Sequence, residues 1–150
     1  MAIQCVGDVQ IDAPPEVAFT GTADIETWTS WARDLERVTI LDRDRDGRAS
    51  RANLVADLFG KEFDATVDFF CDPGTNEITF RLVEARKLSS LTGSFRFEAA
   101  RGGSRMGFRV LMTLAKPKAA RIERMVSRKL ETALTRDLRR HIERTLARGR

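Results

Sequence analysis

The sequence predicts an α+β fold: one antiparallel sheet of about seven strands, covered on one face by a long C-terminal helix, with two short helices near the N-terminus. Three observations predict it. Over residues 38–115, stretches of alternating apolar and polar residues are separated by turn signals, most of them carrying glycine; this is the pattern of an antiparallel meander. Residues 118–148 contain no Pro or Gly and keep a helical periodicity. The apolar residues of the strands share one phase, so the sheet has one dry face that another element must cover.

Each element follows in order. Residues 3–11 alternate, placing Ile3, Cys5, Val9 and Ile11 on one side of a strand. Asp12-Ala13-Pro14-Pro15-Glu16 starts a helix, because the first turn tolerates Pro and favours acids. That helix is expected to carry Val17, Ala18 and Phe19 inward. Asp24-Ile25-Glu26 opens a second short helical segment ending near Trp31. Six further strands are expected over 38–43, 49–58, 62–71, 77–84, 88–99 and 105–115, the last stopped by Pro117. Asp44-Arg45-Asp46-Gly47 is a hairpin turn in which Gly supplies positive φ.

The dry phase holds Leu54, Ala56 and Leu58 on one strand, then Phe63, Ala65, Val67 and Phe69 on the next. It continues with Ile78, Phe80 and Leu82, with Leu91, Gly93, Phe95 and Phe97, and with Met106, Phe108, Val110 and Met112. The opposite phase is polar, with Asp64, Thr66, Asp68, Arg81 and Arg109. In the last helix Ile122, Val126, Leu130, Leu134, Leu138, Ile142 and Leu146 recur every four residues, with Met125 and Ala133 widening the stripe. A stripe of that spacing drifts about 40° per step around an α-helix. The stretch from Ile122 to Leu138 is therefore expected to be gripped by the sheet. The end near Ile142 and Leu146 is expected to pack on another element or on a second subunit, which leaves a homodimer open.

With 150 residues, 42% hydrophobic and 32% charged, the chain is expected to form a single domain over 1–150. No apolar run reaches the roughly 20 residues of a membrane span, and residues 1–5 do not resemble a secretory leader, so a cytoplasmic location is expected. The net charge of +4 is unevenly placed: residues 118–150 hold eleven Lys/Arg and four Asp/Glu, a net of +7, leaving −3 for the rest. The basic character thus belongs to the last helix.

The dry face mixes large side chains with Ala52, Ala56, Ala65 and Gly93, which can leave volume unfilled under a twisted sheet. Apolar pockets of this kind are the usual sites for small molecules. Phe63, Phe69, Phe80, Leu82, Phe95, Met106, Phe108, Val110 and Met112 would contact a ligand from the sheet, and Met125, Val126 and Leu130 from the helix. Trp28 and Trp31, three apart, share a helical face and would wall one side. Phe59, at the Phe59-Gly60 turn, is a candidate gate.

Here the chain resembles a family. Ile11-Asp12-Ala13-Pro14-Pro15-Glu16-Val17-Ala18-Phe19 and Ala23-Asp24-Ile25-Glu26-Thr27-Trp28-Thr29-Ser30-Trp31 are similar to the opening of polyketide cyclase/dehydrase-like proteins of the START superfamily. Residues 38–47, Leu82-Val83-Glu84-Ala85-Arg86-Lys87-Leu88 and Leu91-Thr92-Gly93-Ser94-Phe95 resemble its later segments. The resemblance implies a helix-grip fold, with a seven-stranded sheet around the C-terminal helix and an apolar tunnel between them. It also implies roles seen among such proteins: lipid carriers, quinone-binding proteins and aromatic polyketide aromatase/cyclases. Where the family often has Tyr-Pro, this chain has Trp28-Thr29, and it contains no Tyr, so a phenol acid is excluded.

Catalytic groups are sparse. His141 is the single histidine, and two distant cysteines, Cys5 and Cys71, complete no metal site, so neither metal nor cofactor is expected. A Cys5–Cys71 bridge would require neighbouring strands. Glu84 is the candidate acid or base, because it continues the inward phase of Ile78, Phe80 and Leu82; the alternative is a solvated carboxylate beside Arg86 and Lys87. The leading expectation is binding of a small, mostly apolar molecule such as a lipid, quinone or aromatic polyketide. The alternatives are an aromatase/cyclase using Glu84, and an interaction module on the basic helix. That module would present Arg121, Arg124, Arg128, Arg136, Arg139, Arg140, Arg144 and Arg148 to RNA, a ribosome or an anionic membrane. Interspersed Glu123, Glu131, Asp137 and Glu143 argue against nucleic acid without removing it.

Overall fold

Seven strands hydrogen-bond into one antiparallel sheet in the order β1-β7-β6-β5-β4-β3-β2. The computed structural model describes residues 2–116 and 118–148, with only the backbone of Arg148, so the expected strand stop at Pro117 lies outside the described residues. The strands are β1 (Ala2–Ile11), β2 (Leu35–Arg43), β3 (Ala49–Leu58), β4 (Lys61–Asp72), β5 (Glu77–Ala85), β6 (Leu88–Ala100) and β7 (Gly103–Leu114). From β2 to β7 each strand pairs with the next, and β1 then closes on β7, with Ile3 opposite Met112 and Val9 opposite Met106.

Helix α1 (Pro15–Ala23) starts as its sequence dictates, with Pro15 and Glu16 in the first turn. A 3₁₀ segment, Ile25–Ser30, follows directly. Together they carry the chain from one sheet edge to the other, so they lie across the dry face. Ala18, Phe19, Thr22 and Ala23 are the buried stripe of α1. Val17 falls outside that stripe and is exposed, against expectation, because a helix this short buries one side only. At the β2–β3 turn, Asp44 Oδ1 accepts the N–H groups of Asp46 (2.8 Å) and Arg48 (3.0 Å), and Gly47 takes φ 83°.

The long helix is present but is not one uniform α-helix. Helix α2 (Ala120–Thr132) passes into a π-helical turn, Ala133–Asp137, and then into α3 (Leu138–Arg148). The Leu138 N–H donates to the Ala133 carbonyl, five residues back. This resolves the drift of the four-residue stripe. A turn that takes more residues gives back part of the rotation that each step of four accumulates. Val126, Leu134, Leu138 and Ile142 are all buried as a result. Ile142 does pack on another element: a Cβ placed on Gly21 of α1 would lie 3.8 Å from Ile142 Cγ1.

The dry face is thereby divided. Helix α1 lies on β6 and β7, and α3 lies on α1 and β1. That end is filled: Ile11, Phe19, Phe97, Met106, Leu138 and Ile142 are buried there or beside it. The other end, beneath α2, is where β3 to β7 carry Leu54, Phe63, Leu91 and Met112, all half-buried.

Gly93 on β6 is held to glycine by packing. An added Cβ would sit 2.7 Å from the Arg109 carbonyl oxygen and 2.8 Å from Phe80 Cε1. Gly93→Ala should therefore cost about 1–3 kcal/mol, read as a lowered urea midpoint. Gly107→Ala, where nothing lies within 4 Å, should leave the midpoint unchanged or slightly raised.

Candidate functional site

The open end of the dry face and α2 enclose a cavity of about 240 Å³. Its floor is aromatic. The Phe69 and Phe80 rings lie 6.1 Å apart and Phe80 and Phe95 5.5 Å apart. Phe80 extends over Gly93, which is why that position has no room for a side chain. Trp28 meets Phe69 edge-on at 5.5 Å and Trp31 at 5.6 Å, so the 3₁₀ segment forms one wall. Val126, Leu130, Ala133 and Leu134 form the roof, and Ala56 and Ala65 keep the floor low on the β3–β4 side.

The two indoles differ in their hydrogen bonding. Trp28 Nε1–H donates to the Thr22 carbonyl at 2.9 Å. The buried Trp31 Nε1–H has no partner among the described residues.

Charge is confined to the rim, where Arg33, Asp34 and Lys129 line the opening. Lys129 Nζ lies 3.3 Å from Asp34 Oδ2 and 5.6 Å from the Phe59 ring centroid. The Asp34 carbonyl accepts the Asp57 N–H at 2.8 Å, tying the segment before β2 to β3. Lys129 therefore bridges helix, loop and turn across the mouth. Beyond it, Lys118 is held below the usual ammonium range, first by the charge of Lys61, which it contacts, and also by Lys116 and Lys87.

Of the residues expected at a ligand site, ten meet at the cavity: Trp28, Trp31, Phe63, Phe69 and Phe80, with Phe95, Val110, Met112, Val126 and Leu130. Five do not. Met106 (0% exposed) and Phe108 are on the dry face but at its filled end, where Phe108 presses on Gly7. Leu82 is half-buried against the core, outside the cavity lining. Met125 is exposed (36%), one step off the buried stripe of α2. Phe59 does sit at the turn, exposed (44%) with φ 57°, next to the rim rather than in the wall. The sequence reasoning missed residues 32–35, which enter the lining through Ala32, Arg33, Asp34 and Leu35.

Glu84 is corrected most sharply. It is exposed and faces solvent among Asn53, Glu62, Asp64, Thr66, Arg86 and Lys87. A bulge is the reason: Val67 pairs with Leu82 but Thr66 pairs with Glu84, so Val83 is the extra residue and the alternation slips. His141 is half-buried on α3, away from the cavity lining. Arg121, Arg124, Arg128, Arg140 and Arg144 are exposed, Arg136 pairs with Asp137 at 3.0 Å, and the Arg148 side chain lies outside the described residues.

Cys5 on β1 and Cys71 on β4 are free, with three strands between them in the sheet, so no bridge can form. Burial, then the Glu131 carboxylate, raises the Cys5 pKa. Burial, then Asp44, raises that of Cys71 to about 11. The unfolded thiol ionises near 9.0 while the folded one stays neutral to about 11. The stability this contributes should be complete below pH 9 and lost as pH rises toward 11. Urea midpoints followed across that window should fall less steeply for Cys71→Ala than for the parent chain.

The comparisons agree with this architecture. The family model for polyketide cyclase / dehydrase and lipid transport matches residues 3–144. The aromatase/cyclase ZhuI from Streptomyces sp. R1128 superimposes with TM-score 0.80 at 17% identity, covering 100% of this chain and 97% of that one. A protein of Thermus thermophilus gives TM-score 0.79 at 17% identity, over 97% of this chain and 99% of that one. A START superfamily protein from Mycobacterium smegmatis gives 0.70 at 18% identity, over 97% and 93%. At such identities the likeness shows the fold, the helix-grip arrangement of a sheet around a C-terminal helix. No curated protein matches the chain.

Proposed function

Because the chain belongs to the polyketide cyclase / dehydrase and lipid transport family, we propose that it binds and carries a small, mostly apolar molecule in the cavity between the sheet and the C-terminal helix. The carrying observation is the distribution of polarity: the wall is aromatic and aliphatic, and the charged residues of its lining, Arg33, Asp34 and Lys129, stand at the rim. Such a site favours apolar bulk by removing it from water, at about 25 cal/mol per Å². Lipids, quinones and aromatic polyketides share that character.

The family also includes cyclases, and one of the solved structures that this fold matches is an aromatase/cyclase. A cyclase would fold a polyketide chain against the cavity wall and move protons with groups in reach of it. Glu84 is on the opposite face of the sheet, so that task would fall to Asp34 and Lys129 at the rim. The carrier reading needs no such groups and is the better supported. The third reading, docking of RNA or an anionic surface by the helix, rests on the exposed arginines of α2 and α3; loss of binding on charge reversal at Arg124, Arg128 and Arg140 would be its signature.

Native mass spectrometry of the purified protein, followed by displacement of a bound fluorescent apolar probe by lipids, quinones and aromatic ketones, tests the carrier reading. Ala133→Phe fills the cavity from the roof. It should weaken binding at least about tenfold while the far-UV circular dichroism stays unchanged. Binding unaffected by this substitution would place the ligand elsewhere. Lys129→Met opens the mouth: an exposed ion pair is worth about 0.2–1 kcal/mol, so unfolding should barely change, while stopped-flow dissociation of the probe becomes several-fold faster.

A further inference from the structure

Four lysines collect beside the mouth of the cavity, on three separate connections. Lys61 opens β4 after the Phe59-Gly60 turn, Lys87 lies in the β5–β6 turn, and Lys116 and Lys118 lie between β7 and α2. The fold brings these connections together. The Ala115 N–H donates to the Lys87 carbonyl at 2.9 Å. Lys87 Nζ donates to the Glu62 carbonyl at 2.5 Å and stands 5.4 Å from the ring centroid of Phe63, which lines the cavity. Lys118 touches Lys61, and that neighbouring charge, above all, holds its ammonium below the usual range. Among the described residues none of the four makes an ion pair. Ammonium groups in contact repel, and an anion set against them relieves the repulsion. An apolar group stands among these charges. Phe59 is 44% exposed at the β3–β4 turn, with φ 57°, a conformation uncommon for a bulky residue. The turn is tied at its base, where Asp57 Oδ1 accepts the Gly60 N–H at 2.9 Å, and Lys129 of the rim lies 5.6 Å from the Phe59 ring centroid.

We propose that this lysine collar is a docking surface for an anionic lipid bilayer, with Phe59 entering the headgroup layer and Lys61, Lys87, Lys116 and Lys118 meeting the lipid phosphates. Charge complementarity sets the sign of the partner: each lysine near an anionic leaflet strengthens binding roughly fivefold. The exposed ring favours a bilayer over a free anion or an acidic protein. Aromatic rings settle at the level of the headgroups, and lysine stems lie along apolar surface while the ammonium stays in water. The position favours it too. Leu58, Phe63 and Leu88 line the cavity and are chain neighbours of the Phe59-Gly60 turn, Lys61 and Lys87. An apolar molecule leaving the bilayer at this surface would reach the cavity wall without crossing open water. The inference goes beyond the carrier reading, which concerns what the cavity holds, and it uses other residues than the arginines of α2 and α3.

Vesicle flotation tests the proposal, with vesicles of phosphatidylcholine alone and of phosphatidylcholine with an equal part of phosphatidylglycerol. The protein should float with the anionic vesicles and not with the neutral ones, and added salt should weaken the binding. Lys61→Gln combined with Lys118→Gln should weaken it at least about tenfold, with a urea midpoint no lower than that of the parent chain, because a repulsive contact is removed. Phe59→Ser should weaken it several-fold. Arg124→Gln, Arg128→Gln and Arg140→Gln together should cost less than the two lysine substitutions. Undiminished binding in the lysine variant, or equal binding to both kinds of vesicle, overturns the proposal. A larger loss in the arginine variant overturns it in favour of the helix. Displacement of the protein from vesicles by soluble glycerol phosphate overturns it in favour of a small-anion site. Binding to neither vesicle overturns it and leaves the collar to an acidic protein. None of these outcomes touches the carrier reading, which stands or falls on the apolar probe.

Discussion

A helix is about 10–12 Å across, and seven strands spaced about 4.8 Å apart span nearly three times that width. One helix cannot therefore cover the dry face of this sheet. The sheet answers partly by twisting around the helix, and the chain answers partly by laying α1 and the 3₁₀ segment across the same face between β1 and β2. What remains uncovered on the α2 side is the cavity. The site is thus a remainder of the packing problem, and its walls are core residues that happen to have no neighbour opposite.

The division of the face depends on a few small residues. Gly93 accepts the Phe80 ring, where an added Cβ would lie 2.7 Å from the Arg109 carbonyl oxygen. Ala56 and Ala65 on the strands and Ala133 above them hold the cavity open. Polar groups then sort by solvent access. Lys129 and Asp34 pair where water still reaches them, and among the described residues the charged members of the lining are these two and Arg33, all at the rim. An ionised group there would carry a desolvation cost that this fold does not offset.

Much of this was readable from periodicity, because alternation and four-residue spacing are set by the same burial that builds the fold. All seven strands appear near their expected bounds, and most of the aromatic residues expected at a ligand site do meet there. The failures have local causes that periodicity does not encode. Glu84 follows the Val83 bulge of β5, where the alternation changes sign. Met106 and Phe108 share a phase with Val110 and Met112, but phase cannot say how far along β7 the covering elements reach. Residues 32–35 join the lining through the backbone link from Asp57 to Asp34, which leaves no mark in composition. The unpaired Trp31 N–H depends on the direction of one ring, and no pattern of residue types records it.

The π-helical turn at Ala133–Asp137 has a mechanical consequence. Ala133 and Leu134 roof the cavity, while Leu138 and Ile142 beyond the turn are locked into the filled core. The turn is therefore a seam between a part of the helix that faces a changeable volume and a part that faces none. A rod of uniform α-helix would pass any tilt at the roof straight into the contact with α1. A π-helical turn is one of the places where a helix can change direction within a single turn. The turn thus joins the part of the helix that roofs the cavity to the part that closes the core.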